Sequence, residues 1–147
     1  MSRCACQVEP LWEIAYMNAA STPRRVSGLR CEIMEFFAAS SVPQPDLADL
    51  ETAVGEACAN ALKHGSPRGD LDEVRAKCMK NGRTLIVEIS DNGCGFDPEG
   101  MPSPSPERML EGGMGVFLMK ALTDNVEFEF RHGTTVRLVK SLHPENN

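Results

Sequence analysis

Three short stretches combine residue types that could serve one ligand. The first is Glu56, Asn60 and His64, spaced four apart, which puts them along one side of a helix. The Asn60 carbonyl is a hard oxygen ligand suited to Mg²⁺. The Glu56 carboxylate can position a hydroxyl or water and accept its proton. Asparagine is a poor helix former, so its mid-helix position hints at a reason, although the same trio also fits a solvated helix face. His64 taken alone also reads as a charge near a helix C-terminus. The second stretch is Asp91-Asn92-Gly93-Cys94-Gly95-Phe96, at the end of an apolar alternating segment. Gly93 and Gly95 let a backbone pass close to a planar ligand, and Asp91 can accept a hydrogen bond from an exocyclic amine such as that of adenine. A plain glycine turn after a strand is the other reading. The third is Gly112-Gly113-Met114-Gly115, followed at once by the helical pattern from Val116. Backbone N–H groups freed at a helix start form an anion site. The phosphate-loop ending Gly-Lys-Ser/Thr is absent, and the dinucleotide fingerprint lacks its preceding strand.

These stretches need elements to hold them. Residues from Glu9 to Asn18 alternate loosely around Leu11, Trp12, Ile14, Tyr16 and Met17, which predicts a first strand. Ser21-Thr22-Pro23 starts a helix whose apolar residues Val26, Leu29, Ile33, Met34, Phe36 and Phe37 run to about Ala39. Asp46 caps a second helix that runs to His64, with Gly65 as its stop and Leu47, Leu50, Val54, Cys58 and Ala61 as its apolar stripe. Val74, Ala76 and Cys78 alternate with charges, as do Leu85, Val87 and Ile89, and Asn81-Gly82 between them is a strong hairpin signal. Residues 91–115 form a long loop rich in Gly and Pro. A short helix from Val116 to Leu122 follows. Then come two strands around Val126, Phe128, Phe130 and Val136, Leu138, Val139, joined by Arg131-His132-Gly133. The order predicts an α+β fold: a two-layer α/β sandwich with helices on one face of a mixed, largely antiparallel sheet.

Composition narrows the function classes. The chain has 147 residues, enough for one domain with its own core. Its formal charge is −6, with no basic cluster of the kind that phosphate backbones or anionic membranes select. No nucleic-acid or membrane partner is therefore expected, and no apolar run approaches the ~20 residues of a spanning helix. The six cysteines include no Cys-x-x-Cys, and three of them fall in apolar patterns. Reduced, mostly buried thiols in a cytoplasmic protein are the expectation. Cys4 and Cys6 have no nearby His to complete a metal site.

Together the three stretches resemble the GHKL ATPase superfamily, which includes DNA gyrase, a heat-shock chaperone, histidine kinases and a mismatch-repair ATPase. Glu56-Ala57-Cys58-Ala59-Asn60-Ala61-Leu62-Lys63-His64-Gly65 is similar to its N box. The Asp91–Phe96 stretch is similar to its first glycine box, Gly113-Met114-Gly115-Val116 to its second, and Gly133-Thr134-Thr135 to its late Gly-Thr. The resemblance spans roughly residues 9–140. Its small size, the His-Gly at the end of the N box and the Gly-Met-Gly are most similar to bacterial anti-sigma-factor serine/threonine kinases.

This resemblance implies a Bergerat-type ATP-binding fold with ATP and Mg²⁺ as cofactors. Glu56 is implied as catalytic base and Asn60 as Mg²⁺ ligand, with His64 closing the N box. Asp91 is implied to bind the adenine amine, with Gly93 and Gly95 giving room and Thr134 supporting the pocket. Gly113, Met114, Gly115 and Val116 are implied around the phosphates, and residues of about 97–114 as a nucleotide lid. The implied partners are a sigma factor, which the kinase silences, and a STAS-like anti-anti-sigma protein, which it phosphorylates on serine, usually as a homodimer. Kinases of this group often carry Arg just before the second glycine box, and here Glu111 occupies that position. Arg108 is the one Arg or Lys between Asp97 and Gly115, so it is the local cation for a γ-phosphate. Two alternatives remain open. One is an ATP-dependent anti-sigma or partner-switch module with little kinase activity. The other is a detached histidine-kinase catalytic domain, disfavoured because no helix precedes the first strand.

Overall fold

The computed structural model describes residues 11–39, 41–92 and 115–142. Five strands and three helices carry them: β1 (Glu13–Ala20), α1 (Pro23–Ala38), α2 (Gln44–His64), β2 (Glu73–Lys80), β3 (Thr84–Asp91), α3 (Gly115–Leu122), β4 (Asn125–Glu129) and β5 (Thr135–Ser141). A 3₁₀ turn, Gly69–Leu71, precedes β2. The sheet order is β1-β2-β3-β5-β4, and each of the four pairings is antiparallel. The helices cover one face of the sheet.

Strand alternation builds that face. Val74, Ala76 and Cys78 of β2, Leu85, Val87 and Ile89 of β3, and Val136 and Leu138 of β5 are all buried beneath the helices. Val26, Leu29, Ile33 and Phe37 of α1 and Leu50, Ala53, Val54, Ala57, Cys58 and Ala61 of α2 supply the facing layer. The same period of two brings a polar residue into the buried row at a strand end. Lys80 follows Cys78, Lys140 follows Leu138 and Asp91 follows Ile89, and all three are buried. Lys80 donates to the Phe36 carbonyl in the last turn of α1, where the helix dipole favours a cation. Lys140 lies 3.3 Å from Asp49 and 3.8 Å from Asp46.

Local signals account for most boundaries. Thr22 caps α1, its hydroxyl accepting from Arg25 N–H at 3.2 Å, and Pro23 occupies the first turn. The Asn81-Gly82 turn is present, with Gly82 at φ 88° and Asn81 Oδ1 accepting from the N–H groups of Arg83 and Thr84. Two expectations are corrected. The first strand lies at Glu13–Ala20, so Leu11 and Trp12 precede it. Asp46 does not cap α2, which begins at Gln44 behind Pro43 with no side-chain cap. Asp46 stands in the first turn, fully buried, where Lys140 draws it toward the sheet. The ion pair anchors the start of α2 beside Lys140, the register partner of Leu85 at the start of β3. The helix then runs the length of β3, and its end reaches Asp91.

Of the three cysteines among the described residues, Cys58 and Cys78 are buried as expected and Cys31 is exposed. Burial pushes the Cys58 thiol up to about 11, against a smaller opposing pull from Arg30. Cys78 is pushed up to about 12, again by burial first and by neighbouring Cys58 second. Among the described residues, no helix is long and apolar enough to cross a membrane.

Candidate functional site

Two of the three stretches meet at the end of α2, and Gly115, the last residue of the third, joins them. Glu56 and Asn60 are half-buried, one turn apart, along the flank of the buried stripe of α2. Neither side chain makes a hydrogen bond or ion pair with another described residue. Gly115, the first residue of α3, lies against them. A Cβ placed there would stand 3.0 Å from Glu56 Oε1 and 3.7–3.8 Å from the Asn60 carboxamide atoms. Val116 and Met119 are fully buried and hold α3 onto α2, so the Val116 side chain is part of the core and its backbone alone can serve a ligand. The N–H groups at the start of α3 therefore stand beside a carboxylate and a hard oxygen donor.

Asp91 is fixed from two sides. Its Oδ1 accepts from Thr134 N–H at 3.0 Å, and its own N–H donates to the Thr134 carbonyl at 2.9 Å. Its carboxyl group also presses on Gly65. A Cβ on Gly65 would lie 2.0 Å from Asp91 Cγ and Oδ2. Gly65 has φ −111°, a conformation open to any residue, so the close approach and not the backbone is what demands glycine. Sequence reasoning read Gly65 as a helix stop and missed this contact. The paired Asp91 and Thr134 are brought together as expected. The turn between β4 and β5 supports them, with His132 at φ 50° and Gly133 at φ 113°.

Sequence reasoning also missed a polar network beside Asp91. The Asp72 side chain is 1% exposed. It accepts from Arg68 N–H at 2.7 Å, from Arg68 Nε and Nη2 at 2.9 and 2.7 Å, and from Asn92 Nδ2 at 3.1 Å. These bonds, led by the Arg68 backbone N–H, hold its carboxyl below the usual carboxylate range. Arg75 Nη1 donates to Asn92 Oδ1 at 2.7 Å. Pro67 and His132 complete, with these four side chains, a recess of about 510 Å³. A run of charged and small residues, Arg68 to Asp72, was the available signal, but nothing in it specified Asn92 as the partner.

His64 is exposed and makes no polar contact with a described residue, so it does not join Glu56 and Asn60. Gly93, Gly95, Arg108, Gly113, Met114 and the lid of about 97–114 lie outside the described residues. Among the described residues, no group of three His, Cys, Asp or Glu side chains could hold a metal ion. The donor set fits Mg²⁺ in another way. That ion keeps several waters and takes one or two protein oxygens alongside substrate phosphates, which Asn60 beside a helix N-terminus matches.

Residues 19–140 match the histidine kinase-like ATPase domain family. A serine-protein kinase RsbW of Bacillus licheniformis is 30% identical over 137 residues, covering 88% of this chain and 86% of the relative. The serine-protein kinase RsbW of Bacillus subtilis strain 168 is 28% identical with the same coverage. Its counterpart in Listeria monocytogenes is 29% identical, covering 86% of each chain. A crystal structure of the RsbU and RsbW domains of a Mycobacterium tuberculosis protein aligns with a TM-score of 0.64 at 18% identity, covering 88% of this chain and 32% of that one. That structure supports the fold, and the family match runs from Ala19 in β1 to Lys140 in β5. The chain belongs to the histidine kinase-like ATPase domain family.

Proposed function

We propose that this protein is an ATP-dependent protein serine kinase that sequesters a sigma factor and phosphorylates a STAS-like anti-anti-sigma partner. The observation that carries the reading is the approach of Gly115, at the start of α3, to Glu56 and Asn60 on α2. Phosphoryl transfer needs positioning and charge neutralisation, and these residues divide that work. Glu56 takes the proton of an attacking serine hydroxyl as its oxygen bonds to the γ-phosphorus and ADP departs. Asn60 would hold Mg²⁺, which supplies charge neutralisation for the triphosphate. Asp91, braced by Thr134, reads the adenine amine, and the α3 N-terminus with Gly113 and Gly115 receives phosphate oxygens. The relatives named serine-protein kinase RsbW support transfer to serine.

Two surfaces support protein partners. Arg24 and Arg25 stand in the first turn of α1, where the helix dipole disfavours cations. With Asn18, Gly28 and Glu32 they line a cleft of about 830 Å³, and nothing lies within 4 Å of a Cβ at Gly28. The fold gives no reason for cations there or for a mid-helix glycine, and the cleft suits an acidic segment of a protein partner. β1, whose end borders that cleft, is an edge strand with Ile14 50% and Tyr16 73% exposed. Its sequence holds no Lys, Arg or Pro to block pairing, which favours a second copy of this chain as its neighbour.

The test is titration with ATP and ADP, with and without Mg²⁺, followed by transfer of labelled phosphate to a STAS-like protein. Mg²⁺-dependent binding with serine labelling is expected. Binding without transfer to any partner would favour the second reading, an ATP-dependent antagonist with little kinase activity, to which Glu111 points.

A further inference from the structure

Asn92 stands at the exit of β3, one residue beyond Asp91 and outside the strand ladder. Here both ends of its carboxamide are held. Asp72 Oδ1 accepts from Nδ2 at 3.1 Å, and Arg75 Nη1 donates to Oδ1 at 2.7 Å. The two holding residues come from the head of β2 and the turn before it, so the grip is built on the sheet itself. Asp72 is the fixed point. Its carboxylate is buried and accepts four hydrogen bonds, three of them from Arg68. Arg68 therefore aims Asp72, and Asp72 with Arg75 aims Asn92.

The peptide plane joining Asp91 to Asn92 is rigid, so the setting of Asn92 constrains the residue before it. Asp91 has little room to be misplaced. Its carboxyl group fills the space beside Gly65 and meets Thr134 N–H at 3.0 Å. A shift of about 1 Å at such a site can cost ~10²-fold in function. We propose that Asp72 is a positioning residue for the nucleotide site, acting through Asn92 to hold Asp91 against Gly65 and Thr134. The role rests on the nucleotide-binding reading above. It assigns the network to base recognition, apart from the chemistry at Glu56 and Asn60 on α2.

The experiment is a double-mutant cycle on the full chain, read by calorimetric titration with ADP and Mg·ATP and by steady-state transfer. Asp72→Asn keeps the shape and removes the charge that organises the donors. It should weaken ADP and ATP binding alike, by about tenfold or more, and raise KM while leaving kcat within about twofold, because the transfer groups lie elsewhere. In an Asn92→Ala background, Asp72→Asn should add less than about twofold, since the route to Asp91 is already cut. Arg68→Ala keeps the backbone N–H bond to Asp72 but removes the two guanidinium bonds that aim it, so it should weaken ADP and ATP binding in the same sense, by about threefold or more and less than Asp72→Asn. If Asp72→Asn does not fold, Arg75→Met releases the other end of the same carboxamide and carries the same expectation. A folded Asp72→Asn protein with wild-type nucleotide affinity would overturn the proposal. So would an undiminished loss in the Asn92→Ala background, which would make Asp72 a general stabiliser. Wild-type protein that binds neither nucleotide would overturn the nucleotide reading itself, and this role with it.

Discussion

Gly65→Ala is the smallest change that tests how the site is built, because it adds one methyl group and removes no functional atom. The added carbon would lie 2.0 Å from Asp91 Cγ and Oδ2 and 2.5 Å from its Cβ. Ordinary contact begins near 3.4 Å, so the carboxyl group or the end of α2 must move by roughly 1.4 Å. Neither can do so freely. Asp91 is 5% exposed and bonded to Thr134 through backbone and side chain, and the end of α2 is anchored by the buried Ala61. Overpacking of this kind costs about 1–3 kcal/mol, and a displaced hydrogen bond about 1–3 kcal/mol more. A total of about 2–6 kcal/mol should lower the melting temperature by roughly 6–18 °C in a chain of this size. ADP affinity should fall by at least about tenfold at temperatures where the protein is folded. The double variant Gly65→Ala with Asp91→Gly separates the two losses. Removing the whole Asp91 side chain, Cβ included, makes room for the methyl, so most of the stability should return while nucleotide binding does not. Gly65→Ala protein with unchanged melting temperature and ADP affinity would refute the close-approach argument. Restored binding in the double variant would refute the role of Asp91.

Asn60→Ala should abolish Mg²⁺-dependent nucleotide binding and leave thermal stability nearly unchanged, as checked by titration with and without EDTA, because the carboxamide lies off the buried stripe of α2. Glu56→Gln should keep Mg·ATP affinity and slow phosphate transfer by about 10²–10⁴-fold in a labelled-ATP assay, since an amide cannot accept the serine proton. Arg24→Glu with Arg25→Glu should weaken capture of the proposed sigma-factor partner in surface-binding measurements at low salt, without changing ADP affinity. At alkaline pH the raised Cys58 thiol stays protonated in the fold while the unfolded chain ionises above its ordinary 9.0. Stability should therefore fall as pH rises from 9 toward 11, by roughly 1.4 kcal/mol at pH 10 for this one group, and Cys58→Ala should flatten that limb of a pH–melting curve.

The fold was legible wherever a buried face imposed a period on the sequence. The alternation of Val74, Ala76 and Cys78 and of Leu85, Val87 and Ile89 marked β2 and β3, and Asn81-Gly82 marked their turn. One error fell where an ionisable residue had two possible uses. Asp46 has the chemistry of a cap, but a buried Lys140 from the far end of the chain gives it an ion pair instead, and Pro43 begins the helix unaided. The first strand was drawn too early because Leu11 and Trp12 continue an apolar run that the sheet does not bury. They are 87% and 44% exposed, so their hydrophobicity carries no inward phase.

The candidate site was legible in a different way, through residues that local structure does not favour. Asn60 in mid-helix and Asp91 in the inward phase of an apolar strand both declare a cost that burial alone does not repay. Strand period even fixes the direction of Asp91, because 85, 87, 89 and 91 share one face. What stayed hidden were relations between stretches. Gly65 carries two meanings, helix stop and neighbour of a buried carboxyl group, and only the packing of α2 along β3 selects the second. Asp72 and Asn92 are 20 residues apart, and their bond follows from the β2–β3 register that sets Val74 opposite Asp91. Each hidden relation ends at the same carboxylate. Gly65 limits where it can go, Thr134 sets its orientation, and the grip on Asn92 fixes the chain that carries it. A single buried acid held from three separate elements is what a recognition group needs if it is to meet its ligand without rearranging, because the cost of ordering it has already been met in folding.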